Sequence, residues 1–247
     1  MKQNKHGLIL CAGGKNQYIN EARYAAKTFK RFNPTIPVTL FTDQNITAHG
    51  EFDRIIIETG LGHPQKLKMH GMLHTPYERT LYLDSDTRTC GSLAELFAVL
   101  DFYNIGFTHR VKCKWPPNST PIFVDYVDYN CLQGGMLLFN KSKPATAFIK
   151  KWQHTFNQTP DELVQPGTQY GDQVVLNNIF SELTPNHKTE LNPVYLPNRI
   201  YNARPWMWEQ LKRDGLWSDV KVLHARGLNT STFITTLNKI KHKIGQG

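Results

Sequence analysis

Short apolar runs, separated by turn residues and by stretches of helical periodicity, dominate the first hundred positions. Gly7-Leu8-Ile9-Leu10-Cys11-Ala12 runs apolar into Gly13-Gly14, the pattern of a buried strand ending in a sharp turn. From Asn20, the positions Ala22, Ala25, Ala26, Phe29 and Phe32 recur at helical spacing until Asn33-Pro34 stops them. Val38-Thr39-Leu40-Phe41 and Arg54-Ile55-Ile56-Ile57 read as two further strands, being short, β-branched and bounded by turn residues. Residues 66–73 predict a helix ahead of Pro76, and Thr80-Leu81-Tyr82-Leu83 a buried strand running straight into Asp84-Ser85-Asp86. Residues 92–100 predict a helix capped by Ser92. Strands alternating with helices predict an α/β fold with a mostly parallel sheet flanked by helices, and such sheets bind ligands at the carboxyl ends of their strands.

The second half is less regular. Ile105-Gly106-Phe107 reads as a strand, and residues 112–129, rich in Pro, Asn, Asp and aromatics without a sustained period, as a long functional loop. A strand resumes over 134–139, helices are expected over 145–156 and 169–180, and 221–224 is a late strand. Neither an internal repeat nor a linker interrupts the 247 residues, so one domain over 1–247 is expected.

Composition narrows the class. Hydrophobic residues make up 40% of the chain and charged ones 20%, the balance of an ordinary globular protein, and no apolar run approaches the ~18 residues of a membrane span. The stretch after Met1-Lys2-Gln3-Asn4-Lys5 is shorter than a signal-peptide core, and Cys11, Cys90, Cys113 and Cys131 show no C-x-x-C spacing. A cytoplasmic protein with reduced thiols is expected. The net charge of +9 is spread along the chain and accompanies no recognised nucleic-acid module, so no nucleic acid partner is expected. Lys239, Lys241 and Lys243 beside Phe233, Ile234, Leu237 and Ile240 form a basic, amphipathic C-terminus suited to peripheral contact with a membrane surface, or to being a solvated face.

The sharpest chemical feature is Asp84-Ser85-Asp86. An apolar strand has no structural use for two carboxylates at its end, and alternation along an extended chain would turn both to one side. Two converging carboxylates repel unless a cation lies between them, and oxygen ligands suit Mg²⁺ or Mn²⁺. The alternative is one capping and one solvated Asp. His224 also ends a strand, and an imidazole completing the set favours Mn²⁺; a buried, backbone-satisfied His is the other reading. Gly134-Gly135 marks a close approach of backbone or ligand, or a bulge. Asp172-Gln173 opens an apolar helix, where Asp172 complements the helix dipole or both side chains face a sugar pocket.

Together these elements resemble the GT-A-fold glycosyltransferases, most closely the family 8 type that includes glycogenin and the bacterial lipopolysaccharide galactosyltransferases. Lys68 through Thr87 is similar to the family's lysine helix and D-x-D strand, and Gln133-Gly134-Gly135-Met136-Leu137-Leu138-Phe139-Asn140 to the strand lining the donor sugar. Asp172-Gln173 matches the D-Q pair beside the reacting carbon, and His224-x-x-Gly227 the terminal H-x-x-G element, though Thr230 stands where the family has a lysine. Tyr18 occupies the place of the family's base-stacking tyrosine, after Cys11-Ala12-Gly13, which would contact the nucleotide.

The resemblance implies a metal-dependent transferase moving a sugar from a nucleoside diphosphate donor, UDP being the expected carrier, to a glycan, protein or lipid-linked acceptor, with retention of configuration. Mn²⁺ or Mg²⁺ would be held by Asp84, Asp86 and His224. Lys68, Asp172 and Gln173 would act on the donor sugar, and Ser85, Gln133, Gly134, Gly135 and Gly227 would line its site. Residues 1–110 would form the nucleotide half, 111–230 the sugar and acceptor half, and 231–247 a basic tail. Residues 112–129 and the aromatic cluster 201–208, with Trp206 and Trp208, are candidate acceptor walls. An inverting transferase, a sugar-1-phosphate nucleotidyltransferase and a non-enzymatic sugar or nucleic acid binding module are the competing readings.

Overall fold

Four of the apolar runs do become parallel strands, and they lie side by side at the centre of the protein. In this computed structural model residues 5–61, 63–114, 122–164, 171–183 and 190–225 are described, with backbone alone at 111–114, 122–130 and 183. The strands β1 (His6–Cys11), β2 (Val38–Thr42), β3 (Arg54–Ile57) and β4 (Arg79–Leu83) pair in the order β3-β2-β1-β4, all parallel. The helices α1 (Asn16–Phe32) and α2 (Lys66–Leu73) serve as crossovers. Beyond β4 the sheet continues through β7 (Ile122–Asn140), β6 (Ile105–Lys114) and β8 (Pro193–Leu196). Only β7 runs against the other six strands, so the sheet is mostly parallel.

Alternation along each strand splits the core between the two faces. Leu8, Leu10, Leu81 and Leu83 pack with Ala22, Ala25, Ala26 and Phe29 of α1. On the other face, Ile9 and Tyr82 meet Met69 and Met72 of α2, Phe148, Trp152 and Phe156 of α4 (Lys143–Asn157), and Leu176 and Ile179 of α5 (Asp172–Leu183). Each large apolar side chain buried in this way contributes about 1.5–3 kcal/mol, so both helical layers are held firmly. A third cluster joins α7 (Pro205–Arg213) to β9 (Val222–His224), a strand that pairs with β5 (Thr87–Thr89) in a separate two-stranded sheet.

Three expectations need correction. The segment 112–129 is not a loop over its described residues, because β6 and β7 form a long antiparallel ribbon there; Cys113 pairs with Phe123 and Val111 with Val127. The residues Ile122 to Tyr129 are mostly β-branched or aromatic, with Asp125 and Asp128 among them but no strand alternation, and their partner strand, which a local period cannot reveal, makes them a ribbon. The helix expected over 92–100 shrinks to α3 (Leu96–Val99), because Ser92 Oγ accepts from the backbone of Ala94 in a turn (3.3 Å) and no side chain caps the helix. Gly134-Gly135 lies inside β7 and does not open a strand. The basic C-terminus, with Lys239, Lys241 and Lys243, lies outside the described residues. Among the described helices none is long and apolar enough to cross a membrane.

One buried ion pair ties α1 to the loop before β3. Glu51 is 3% exposed and bonds Arg23 and the backbone N–H of His49. Burial alone would raise its carboxyl, but backbone N–H groups at Glu51 and His49 and the Arg23 guanidinium outweigh it and hold Glu51 below the usual carboxylate range. A depressed carboxyl contributes stability above the unfolded value of about 4.3 and loses it as pH falls through the folded value. Glu51→Gln is expected to cost roughly 1–3 kcal/mol at neutral pH and to flatten the stability loss between about pH 5 and pH 3. Urea midpoints over that range check this, and a variant with the wild-type pH slope would refute it.

Candidate active site

Residues from both sheets meet where β4 and β9 end. Asp84 follows β4, its backbone N–H bonding Gly135 O of β7 at 2.9 Å, and Thr87 Oγ1 donates back to Asp84 O at 2.7 Å. Asp84, Ser85 and Asp86 form this turn between β4 and β5, so the carboxylates converge through the turn and not through strand alternation. Opposite Thr87 stands His224, and Ala225 N–H bonds Asp86 O at 3.1 Å, which brings the end of β9 onto the turn.

The result is a cluster of two carboxylates and one imidazole whose ligand atoms all lie within 4.8 Å of one another. His224 Nε2 is 2.9 Å from Asp86 Oδ1 and 3.6 Å from Asp84 Oδ2. Burial would raise the Asp86 carboxyl, but the His224 imidazole and the Arg204 guanidinium hold it down at about 2. This donor set suits a divalent cation of the Mn²⁺ or Mg²⁺ kind. The backbone leaves space for the imidazole: a Cβ on Gly135 would lie 2.2 Å from His224 Cε1 and 3.1 Å from Asp84 Oδ2. Gly135→Ala is therefore expected to push His224 aside, costing about 1–3 kcal/mol and diminishing the melting-temperature gain expected from Mn²⁺. Thermal melts with and without Mn²⁺ test this; an undiminished Mn²⁺ gain would show that His224 holds its place. At Gly134 the tightest contact of a Cβ would be Lys68 Nζ, at 3.2 Å, the end of a flexible side chain, with Asp172 Oδ2 and Leu176 Cδ2 at ordinary distances of 3.7 and 3.8 Å.

Next to this cluster, Lys68 of α2 reaches across the top of β4. Its Nζ donates to Asp172 Oδ2 at 2.7 Å and to Asp84 Oδ1 at 3.3 Å, and lies over the rings of Tyr82 and Trp152, 5.1 and 5.7 Å from their centroids. Burial would push the ammonium down, yet Asp172 and Asp84 hold it well above the ordinary lysine value. Tyr82 Oη also donates to Asp84 Oδ1. One oxygen of Asp84 is thus occupied by Lys68 and Tyr82, and the other faces His224. Asp172 opens α5, as expected, and Trp152 Nε1 donates to its carbonyl at 3.0 Å. Gln133, buried in β7, accepts from Arg204 Nη2 at 3.2 Å.

Other expected site residues stand on β1, α1 and α7. Cys11 ends β1 with its thiol turned under α2, where burial pushes its pKa far up, so only the backbone of Cys11, Ala12 and Gly13 is left to meet a ligand. At Gly14, φ is +78° and both carboxylate oxygens of Asp43 accept its N–H, at 3.0 and 2.9 Å, which shapes the turn after β1. Tyr18 in the first turn of α1 is 42% exposed. Trp208 is core, donating to Ala203 O at 3.1 Å, and Trp206 packs against the same cluster, so the 201–208 aromatics are chiefly structural. Gly227 and Thr230 lie outside the described residues. Sequence reasoning missed Tyr82, Trp152, Thr108, Asn202 and Arg204. Of these only Tyr82 carried a signal, since it precedes Asp84 by two positions.

The architecture is the α/β fold of the GT-A glycosyltransferases. Over 90% of its length the chain is similar to the glycosyltransferase GlyE of Streptococcus pneumoniae TIGR4 (TM-score 0.58, 18% identity), of which it spans 54%. Over 88% it is similar to the galactosyltransferase LgtC solved with donor and acceptor sugar analogues (TM-score 0.55, 16% identity), of which it spans 86%. It also covers 46% of the bifunctional glycosyltransferase WbbM (TM-score 0.54, 11% identity). The chain thus spans about half the length of GlyE and WbbM. At these identities the likeness is one of fold. No protein-family model and no curated protein matches the sequence.

Proposed function

We propose that this protein is a glycosyltransferase that moves a sugar from a nucleoside diphosphate donor, with UDP as the carrier, to the hydroxyl of a glycan, protein or lipid-linked acceptor. The observation that carries this reading is the Asp84, Asp86 and His224 cluster standing directly beside the Lys68 and Asp172 pair at the carboxyl ends of the sheet. A divalent cation bound there, Mn²⁺ or Mg²⁺, supplies positive charge to a leaving diphosphate as the glycosidic bond breaks.

The protein's own groups divide the remaining work. Asp84, Asp86 and His224 would hold the cation, and Asp84 is oriented by Lys68 and Tyr82. Lys68 donates to one oxygen of Asp172, and the resemblance to family 8, with Asp172 or Gln173 nearest the sugar carbon, supports retention of configuration. Gln173, Gln133 and Gly134 complete the sugar site, and Ser85, Gly135 and Gly227 its diphosphate side. Backbone at 11–13 meets the nucleotide, and the exposed Tyr18 ring stacks on its base, a contact worth ~1–3 kcal/mol in single-strand nucleic acid binders. A cytoplasmic setting and a peripheral membrane contact through the basic residues of 231–247 complete the proposal.

The test is release of nucleoside diphosphate from a panel of UDP- and GDP-sugars, with Mn²⁺ or with EDTA. One donor giving a metal-dependent signal supports the proposal. Pyrophosphate released from a nucleoside triphosphate in the presence of a sugar 1-phosphate would identify a nucleotidyltransferase, and sugar binding that survives EDTA without turnover on any donor or acceptor would identify a binding module. The anomeric proton of the product, read by NMR, decides retention; a product of inverted configuration overturns it.

A further inference from the structure

A buried polar chain backs the imidazole of His224. Asn202 and Thr108 are both 0% exposed and His224 is 2% exposed. His224 Nδ1 lies 2.7 Å from Asn202 Oδ1, and Asn202 Nδ2 donates to Thr108 Oγ1 at 3.0 Å. Three elements therefore contribute to one chain: β6, the end of α6 (Asn198–Tyr201), and β9. Buried polar groups keep such contacts because one left unsatisfied has lost its water without gaining a partner.

The backbone keeps this chain in register. Asn202 N–H closes α6 on Asn198 O at 2.8 Å, Ala203 N–H bonds Val222 O at 2.8 Å, and His224 N–H bonds Ala203 O at 3.0 Å. A parallel bridge pairs Ala203 with Leu223. The Asn202 amide thus stands at a fixed height against the His224 ring.

We propose that Asn202, oriented by Thr108, is a positioning residue that determines which nitrogen of His224 meets the cation. With its NH₂ group given to Thr108, Asn202 turns a carbonyl oxygen to His224, and an oxygen can only accept. The ring then keeps a proton at Nδ1, and Nε2, which donates to Asp86 Oδ1 at 2.9 Å and lies 3.6 Å from Asp84 Oδ2, is the nitrogen whose lone pair a cation would take. Partners of this kind behind a ligating histidine fix its tautomer and ring angle, and their loss typically weakens metal affinity 10–100-fold. Asp84 is backed in the same way from the opposite side, by Tyr82 and Lys68. The inference rests on the reading of this cluster as a cation site.

Mn²⁺ titration followed by the electron paramagnetic resonance of the free ion tests it without any turnover. Asn202→Leu, which removes the acceptor, is expected to bind Mn²⁺ roughly 10–100-fold more weakly than wild type. Asn202→Asp, which keeps an oxygen at the same place, is expected to bind at least as tightly as wild type, and Thr108→Val to fall between Asn202→Leu and wild type. Equal affinity in Asn202→Leu and wild type overturns the role of Asn202 while leaving the cation site intact. Wild type that binds no Mn²⁺, or binds it as well after Asp86→Asn, overturns the cation reading and this inference with it. Should Asn202→Leu fail to fold, nitrogen NMR of His224 in the Mg²⁺-loaded wild type decides: a proton on Nδ1 supports the inference, and a bare Nδ1 overturns it.

Discussion

Replacing Asp86 with asparagine is expected to slow metal-dependent release of nucleoside diphosphate by roughly 100- to 1,000-fold, the rate equivalent of about 3–4 kcal/mol of transition-state charge stabilisation. Asp86 is the cleaner of the two carboxylates to change. Asp84 is also bonded by Lys68 and Tyr82, so its loss would disturb three groups at once. Asp86 is held anionic at about 2 by His224 and Arg204 against the opposing effect of burial, so it carries a full charge at any working pH. Asparagine keeps the shape and removes that charge. The measurement is the initial rate against Mn²⁺ concentration, with circular dichroism to confirm the fold. A wild-type rate at saturating Mn²⁺ would eliminate Asp86 as a ligand.

Lys68→Met should produce the largest loss of stability, roughly 3–5 kcal/mol, because it removes the cation from between Asp84 and Asp172 and leaves their charges facing one another. The Lys68 side chain is only 10% exposed, and those of its partners are 29% and 18% exposed, so water offers little compensation. Methionine fills much the same volume against the Tyr82 and Trp152 rings, which confines the change mainly to charge. The urea midpoint should fall with an unchanged slope. Adding Asp172→Asn to Lys68→Met should restore part of the loss, since one of the two stranded charges is then gone. If the double variant is as unstable as the sum of the single ones, the Lys68–Asp172 pair contributes nothing and the effect is packing alone.

The parts of this site that could be read from the chain share a property: each stands at the end of an apolar run. Asp84, Asp86 and His224 are polar residues where an apolar strand stops, and that contrast is local. Lys68 is different, an ordinary lysine on a helix, distinguished only by what the fold brings above it; resemblance to a family singled it out, and burial would have argued against it. Asn202 and Thr108 carry no sequence signal, because their significance lies in a contact between residues 94 positions apart. The β6–β7 ribbon was misread for the same reason. Polar residues on a two-stranded ribbon look like loop until the partner strand is known, and β8, paired at the sheet edge through Gly106 and Val194, gave too short a run to register.

The ladder between β4 and β7 is unbroken from Arg79 and Asn140 to Leu83 and Met136. Irregularities in β7's pairing fall entirely on its other side, against β6, after Phe107, His109 and Val111. In a strand, a slip of one position turns every side chain over, which would exchange the surroundings of Gly134 and Gly135 and close the space His224 needs. The first of the irregularities takes in Gly134, Gly135 and Met136, between the pairs Phe107–Leu137 and Thr108–Gln133, so on the β6 side the glycine pair lies in a bulge, and the other two lie farther out along the ribbon. Changes of length towards the ribbon's far end can be absorbed there, so that end is free to diversify over evolutionary time while the chemistry at the near end keeps its phase.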